Sequence, residues 1–154
     1  MPRKTIKPKM HHVGVWIRPA DVSRTLRFFE HFLDFSPLSR GPRKSGGERI
    51  FLSNPAGQYL EILVDEQVEP GPDLPPHPVT RIRGAAHLCF SIADAVLCKA
   101  ALLEDGYDIE LEVPSGLDGY VTSEMGEHRI LFFLGPAGLS IEFFEFRHEA
   151  YPLD

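Results

Sequence analysis

The sequence predicts an α+β fold built from two βαβββ modules. They would pair so that eight strands make one open, curved sheet with the helices outside it. Three observations carry that reading. A turn motif occurs twice, as Pro55-Ala56-Gly57 leading to Tyr59-Leu60-Glu61 and as Pro136-Ala137-Gly138 leading to Ile141-Glu142. An Arg-Ile start precedes each copy, Arg49-Ile50 and Arg129-Ile130. Each half opens with a histidine at the head of an apolar run, His12-Val13-Gly14-Val15-Trp16-Ile17 and His87-Leu88-Cys89-Phe90-Ser91-Ile92. A repeat of this size is half a domain: one module leaves a sheet face bare, and a second must cover it.

The elements follow in order. His12–Ile17 alternates as a strand, with Val13, Val15 and Ile17 on one face. Pro19-Ala20-Asp21 breaks it, and Asp21 or Ser23 caps a helix to about Phe32, with Leu26, Phe29 and Leu33 at helical spacing. Phe35–Gly47 reads as strand or loop. Glu48–Ser53, the Asn54–Gly57 turn and Gln58–Val64 form a hairpin. The second half repeats this. Ala86–Ile92 is a strand, and Asp94 caps a helix to about Asp105 with Val96, Ala100 and Leu103 inward, ended by Gly106. Tyr107–Val113 is a strand, and Pro114–Gly126 is a glycine-bearing loop that reads either as a lid or as a mobile surface loop. Arg129–Leu134 and Leu139–Phe146 form the last hairpin around Gly135–Gly138. The domain plan is a basic tail (1–10), a first module (11–64), a proline-rich linker (65–84), a second module (85–147) and a C-terminal tail (148–154), one domain overall.

Composition narrows the function classes. With 154 residues, 43% hydrophobic and 25% charged, the chain has the make-up of a soluble globular domain. Its net charge of −6 argues against nucleic acid or an anionic membrane as partner. The cluster Arg3, Lys4, Lys7 and Lys9 precedes the first strand and reads as a tail. No apolar run reaches the roughly 18 residues of a membrane span, and Met1–Met10 lacks the apolar core of a signal peptide. Cys89 and Cys98 lack CxxC spacing and suit a reducing cytoplasm.

The repeat places one histidine at the start of each half and one glutamate on each last strand. Glu61 follows His12 by 49 residues, and Glu142 follows His87 by 55. Strand alternation turns His12, Glu61, His87 and Glu142 away from the faces richest in aliphatics. With the helices covering the aliphatic faces, the four point into the hollow of the sheet. A carboxylate there is costly unless paired or bound to a metal. Imidazole with carboxylate suits Zn, Ni, Co, Mn or Fe(II), whereas Ca²⁺ prefers oxygen alone. His11 has the opposite parity and should face helices or solvent. His31, His77, His128 and His148 read as surface residues. Glu61 is sensitive to register, since a slip of one residue would turn it outward.

These pieces resemble the vicinal oxygen chelate superfamily of glyoxalase I, methylmalonyl-CoA epimerase, extradiol dioxygenases and the fosfomycin and bleomycin resistance proteins. The resemblance runs from His12 to about Phe146, through His12–Val15, the Asp21–Phe35 helix, Tyr59–Leu63, Ala86–Phe90 and Pro136–Gly138 with Ile141-Glu142. It implies a cupped sheet around a divalent metal held by His12, Glu61, His87 and Glu142, and a homodimer acting on a small molecule. Carrying Glu61 favours the lyase and isomerase branch over the Fe(II) dioxygenases, whose ligands resemble a His, His, Glu triad. By resemblance to glyoxalase I, Glu142 is the expected base, with Glu61 second. A non-catalytic drug-binding protein is the third class.

Residues sharing the ligand face are expected to wall the pocket: Trp16, Tyr59, Cys89, Ser91 and Phe144. Arg40, Arg43 and Lys44 read either as partners for an anionic substrate group or as a solvated basic loop.

Overall fold

The computed structural model describes residues 10–68 and 87–149. The basic N-terminal cluster and most of the proline-rich linker, with His77, lie outside them. The chain divides into two compact units, Met1–Glu69 and Pro70–Asp154.

The first unit contains β1 (Val13–Ile17), a 3₁₀ turn at Pro19–Asp21, α1 (Val22–Leu33), β2 (Ser36–Pro42), β3 (Glu48–Ser53) and β4 (Tyr59–Val64). Its sheet order is β1-β4-β3-β2, with β1 and β4 parallel and the other neighbours antiparallel. Alternation along β4 sets the register: Leu60, Ile62 and Val64 are buried, whereas Glu61 and Leu63 are not fully buried. Helix α1 buries Thr25, Phe28 and Phe29, with Leu26 and Leu33 half-buried, and ends where Asp34 turns left-handed. Ile17, Phe28, Phe29, Ile50, Leu52 and Ile62 are almost fully buried and form this unit's core.

The second unit contains β5 (Leu88–Ser91), α2 (Ala95–Glu104), β6 (Ile109–Val113), a 3₁₀ turn at Ser115–Leu117, β7 (Val121–Ser123), β8 (Gly126–Leu134), a 3₁₀ turn at Pro136–Gly138 and β9 (Ser140–Glu149). The order β5-β9-β8-β6 repeats that of the first unit, again with a parallel first pair. Helix α2 packs on β8 and β9. Asp94 caps it as expected, its side chain accepting from the Leu97 amide at 2.9 Å. The repeated turns have one cause: Gly57 and Gly138 both sit at positive φ, 75° and 73°, where a side chain is strained.

The α+β, doubled βαβββ reading therefore holds, with four differences. The sheets have four and five strands rather than eight in all, among the described residues. The added strand is β7, which pairs Val121 with His128 and Ser123 with Gly126 inside the segment expected to be a loop. Helix α2 buries Ala95 and Leu102 and leaves Val96, Leu97 and Leu103 exposed, so the expected inward face is outward. Residues Ala95–Leu103 are apolar almost all round, and such a helix has no single stripe to read. His128 is buried at 4% exposure, because β8 begins at Gly126 and takes it into the sheet. Strand β9 extends to Glu149, past the expected start of the C-terminal tail.

The 114–126 segment is pinned. Buried Glu145 accepts from the Ala95 amide at 2.7 Å, from the Tyr120 hydroxyl and, at 3.4 Å, from Arg129. Arg129 also donates to the Gly119 carbonyl at 2.7 Å and stacks over Tyr120. The hydrogen bond to Glu145 pushes the Tyr120 phenol up from its usual range. These contacts and buried Leu117 tie the segment to α2 and β9, which supports neither the lid nor the mobile surface loop.

Candidate functional site

Each unit builds one histidine–glutamate pair by the same construction. In the first, the parallel register sets Gly14 opposite Glu61; in the second, it sets Cys89 opposite Glu142. The histidine stands two residues before that partner, just ahead of its strand, on the same face. His12 Nε2 thus comes to 3.4 Å from Glu61 Oε2, and His87 Nε2 to 2.8 Å from Glu142 Oε2. Both carboxylates are largely withdrawn from solvent, with side-chain exposures of 16% and 9%. Glu61 keeps the inner register on which its candidacy depended.

A third residue completes each copy. Phe51 lies opposite Glu61, and Phe132 opposite Glu142, on the adjoining antiparallel strand. Each phenylalanine meets its histidine edge-to-face, with ring centroids 5.3 Å apart in both units. In the sequence this pair shows only as spacing, each phenylalanine preceding its glutamate by ten residues.

The copies differ where β1 and β5 face the carboxylates. A Cβ added at Gly14 would lie 3.3 Å from Glu61 Oε2, so glycine leaves that oxygen its room. Cys89 fills the matching position. Partial burial of its thiol, with the Glu142 carboxylate beside it, pushes the thiol up to about 12. Cys89 is therefore a protonated neighbour of Glu142 at neutral pH and not a nucleophile.

The remaining expected residues are placed as follows. Trp16 is exposed, with the Arg43 guanidinium 4.4 Å above its ring. Tyr59 is exposed and stacked on His11. Ser91 is exposed on β5, opposite buried Phe144 on β9. Phe144 carries His128 against its ring at 4.9 Å, and His128 Nδ1 donates to the Gly126 carbonyl at 3.0 Å. His128 therefore lies on the face that carries Glu142, which corrects its surface reading. Of the basic residues, Arg40 is engaged in a two-pronged pair with Glu48 at 2.6 and 2.7 Å, which raises its pKa and lowers that of Glu48. Arg43 is held by Trp16 and Ser45, with Asp65 at 3.9 Å.

The donor chemistry fits a divalent ion, since each unit offers one imidazole nitrogen and one carboxylate oxygen side by side. Among the described residues, no group of three or more His, Cys, Asp or Glu side chains gathers around one point. Also among them, no helix is long and apolar enough to cross a membrane.

Several solved structures share the fold. A glyoxalase family protein from Enterococcus faecalis matches with a TM-score of 0.67 and 24% identity, over 89% of this chain and 97% of that one. Another from Bacillus cereus matches at 0.70 and 16%, over 94% and 98%. The fosfomycin resistance protein FosX from Listeria monocytogenes, in complex with Mn(II) and sulfate, matches at 0.61 and 12%, over 91% and 93%. No curated protein matches the sequence. Residues 9–143, nearly the whole of both modules, match a single family, and the chain belongs to the Glyoxalase/Bleomycin resistance protein/Dioxygenase superfamily.

Proposed function

We propose that the two His–Glu pairs, one from each module, are the protein ligands of one divalent metal, Zn, Ni, Co, Mn or Fe. In this reading the protein is an enzyme of the lyase or isomerase type that moves a proton at a carbon next to a carbonyl. The observation supporting it is the duplicated pair, His12 with Glu61 and His87 with Glu142, built in one register. FosX, of the same fold, carries Mn(II). The substrate is a small molecule and the working assembly a cytoplasmic homodimer.

When bound, the metal supplies Lewis-acid polarisation of the substrate carbonyl. Glu142 takes the proton from the adjacent carbon and delivers it to the product. It is the more enclosed of the two carboxylates, with 9% of its side chain exposed against 16% for Glu61. The Cys89 thiol stands beside it, on the strand paired with β9. Glu61 is the second choice for this role. Exposed Trp16, Tyr59 and Ser91 wall the substrate site, with Cys89 and Phe144 beside Glu142.

The test is turnover of hemithioacetals and of acyl-CoA epimers, followed by solvent deuterium entering the product. Activity should vanish when the metal is stripped and return when Zn, Ni, Co or Mn is restored. Turnover indifferent to chelation would overturn the reading. Oxygen uptake with a catechol and iron would replace it with the dioxygenase. Chelator-insensitive binding of a drug, without turnover, would replace it with a binding protein.

A further inference from the structure

His11 was expected to face helices or solvent, and it is exposed. Its ring nevertheless has two specific neighbours. His11 Nδ1 lies 3.0 Å from His12 Nδ1, with the rings edge-to-face at 5.2 Å between centroids. The same His11 ring stacks on Tyr59 at 5.2 Å and 9°. Tyr59 lies on β4, two residues before Glu61 and on the same face.

Two ring nitrogens at that distance need one proton between them, one ring donating and the other accepting. A neutral histidine that gives its Nε2 lone pair to a metal must keep its proton on Nδ1. In His12 that Nδ1–H points at His11, which then accepts at its own Nδ1 and carries its proton on Nε2. The Tyr59 stack holds the accepting edge in place. Histidine ligands commonly have such a partner on the far nitrogen, which fixes the tautomer and the ring's direction. The second module has Ala86 at the matching position, so the device belongs to the first histidine alone.

We infer that His11 is a positioning residue for metal loading: it accepts the Nδ1 proton of His12 and so presents His12 Nε2 beside Glu61. This rests on the metal reading above, and the test separates the two. Co(II) is titrated into the whole protein and followed by its visible absorption, for wild type, His11→Phe, His11→Asn and His12→Ala. Phenylalanine keeps a ring against Tyr59 but cannot accept; the asparagine side-chain oxygen can. His11→Phe should weaken Co(II) binding by about 10- to 100-fold, and His11→Asn should recover most of the loss. Because His11 is exposed, both variants should keep the wild-type circular dichroism spectrum. Wild-type Co(II) affinity in His11→Phe, with binding impaired in His12→Ala, would overturn the inference alone. Equal weakening in His11→Phe and His11→Asn would overturn the acceptor role. Wild-type affinity in His12→Ala would overturn the metal reading itself.

Discussion

Glu142→Gln should reduce turnover by roughly a hundredfold to ten-thousandfold, the usual worth of a placed general base, while the protein still binds metal. The amide is nearly the same size as the carboxylate and fits the same enclosed position opposite Cys89 and Phe132. What it loses is the capacity to take a proton. His12, Glu61 and His87 remain as ligands, so a loss confined to turnover separates base from ligand. Glu61→Gln is the control, since Glu61 holds the matching position in the first module at higher exposure. Unchanged turnover in Glu142→Gln would remove Glu142 from the role. Loss only in Glu61→Gln would hand the role to Glu61.

Phe143→Ala should cost about 3–5 kcal/mol of stability, in the range for emptying a buried aromatic site. Phe143 is fully buried on β9, opposite Leu131 of β8, its ring edge-to-face with Phe133 at 5.0 Å and with Phe90 at 6.5 Å. Removing it leaves a cavity between α2 and the sheet that rigid strands cannot close. Denaturant unfolding checks the size of the loss, and a drop in Tm of roughly 10 °C goes with it. Because Phe143 adjoins Glu142 in sequence but points the other way, metal binding should survive in the folded fraction. A loss below about 1 kcal/mol would mean that the helix-covered face is not the core.

Much of this was legible because strands alternate. His12, Glu61, His87 and Glu142 each sit opposite aliphatic neighbours in sequence, and that parity decides which face they take. The Pro-Ala-Gly turns fixed the two hairpins because glycine at positive φ leaves few alternatives. Other features depend on contacts that no local pattern encodes. Helix α2 is apolar nearly all round, so only packing on β8 and β9 selects Ala95 and Leu102. The β7–β8 hairpin turns at Glu124-Met125 without a strong turn dipeptide, which hid both the ninth strand and the burial of His128. The exposure of His11 followed from parity, but its ring partners His12 and Tyr59 did not, since it stands ahead of β1. Phe51 and Phe132 were visible as a repeat but carried no chemistry of their own until their histidines were seen against them.

The most direct test of the account is metal stoichiometry by elemental mass spectrometry on wild type, His12→Ala and His87→Ala, each dialysed against the same limiting Zn, Ni, Co and Mn. If both pairs serve one ion, wild type should hold about one metal per chain and both variants should lose it. Full occupancy in either variant, or none in wild type, would contradict it.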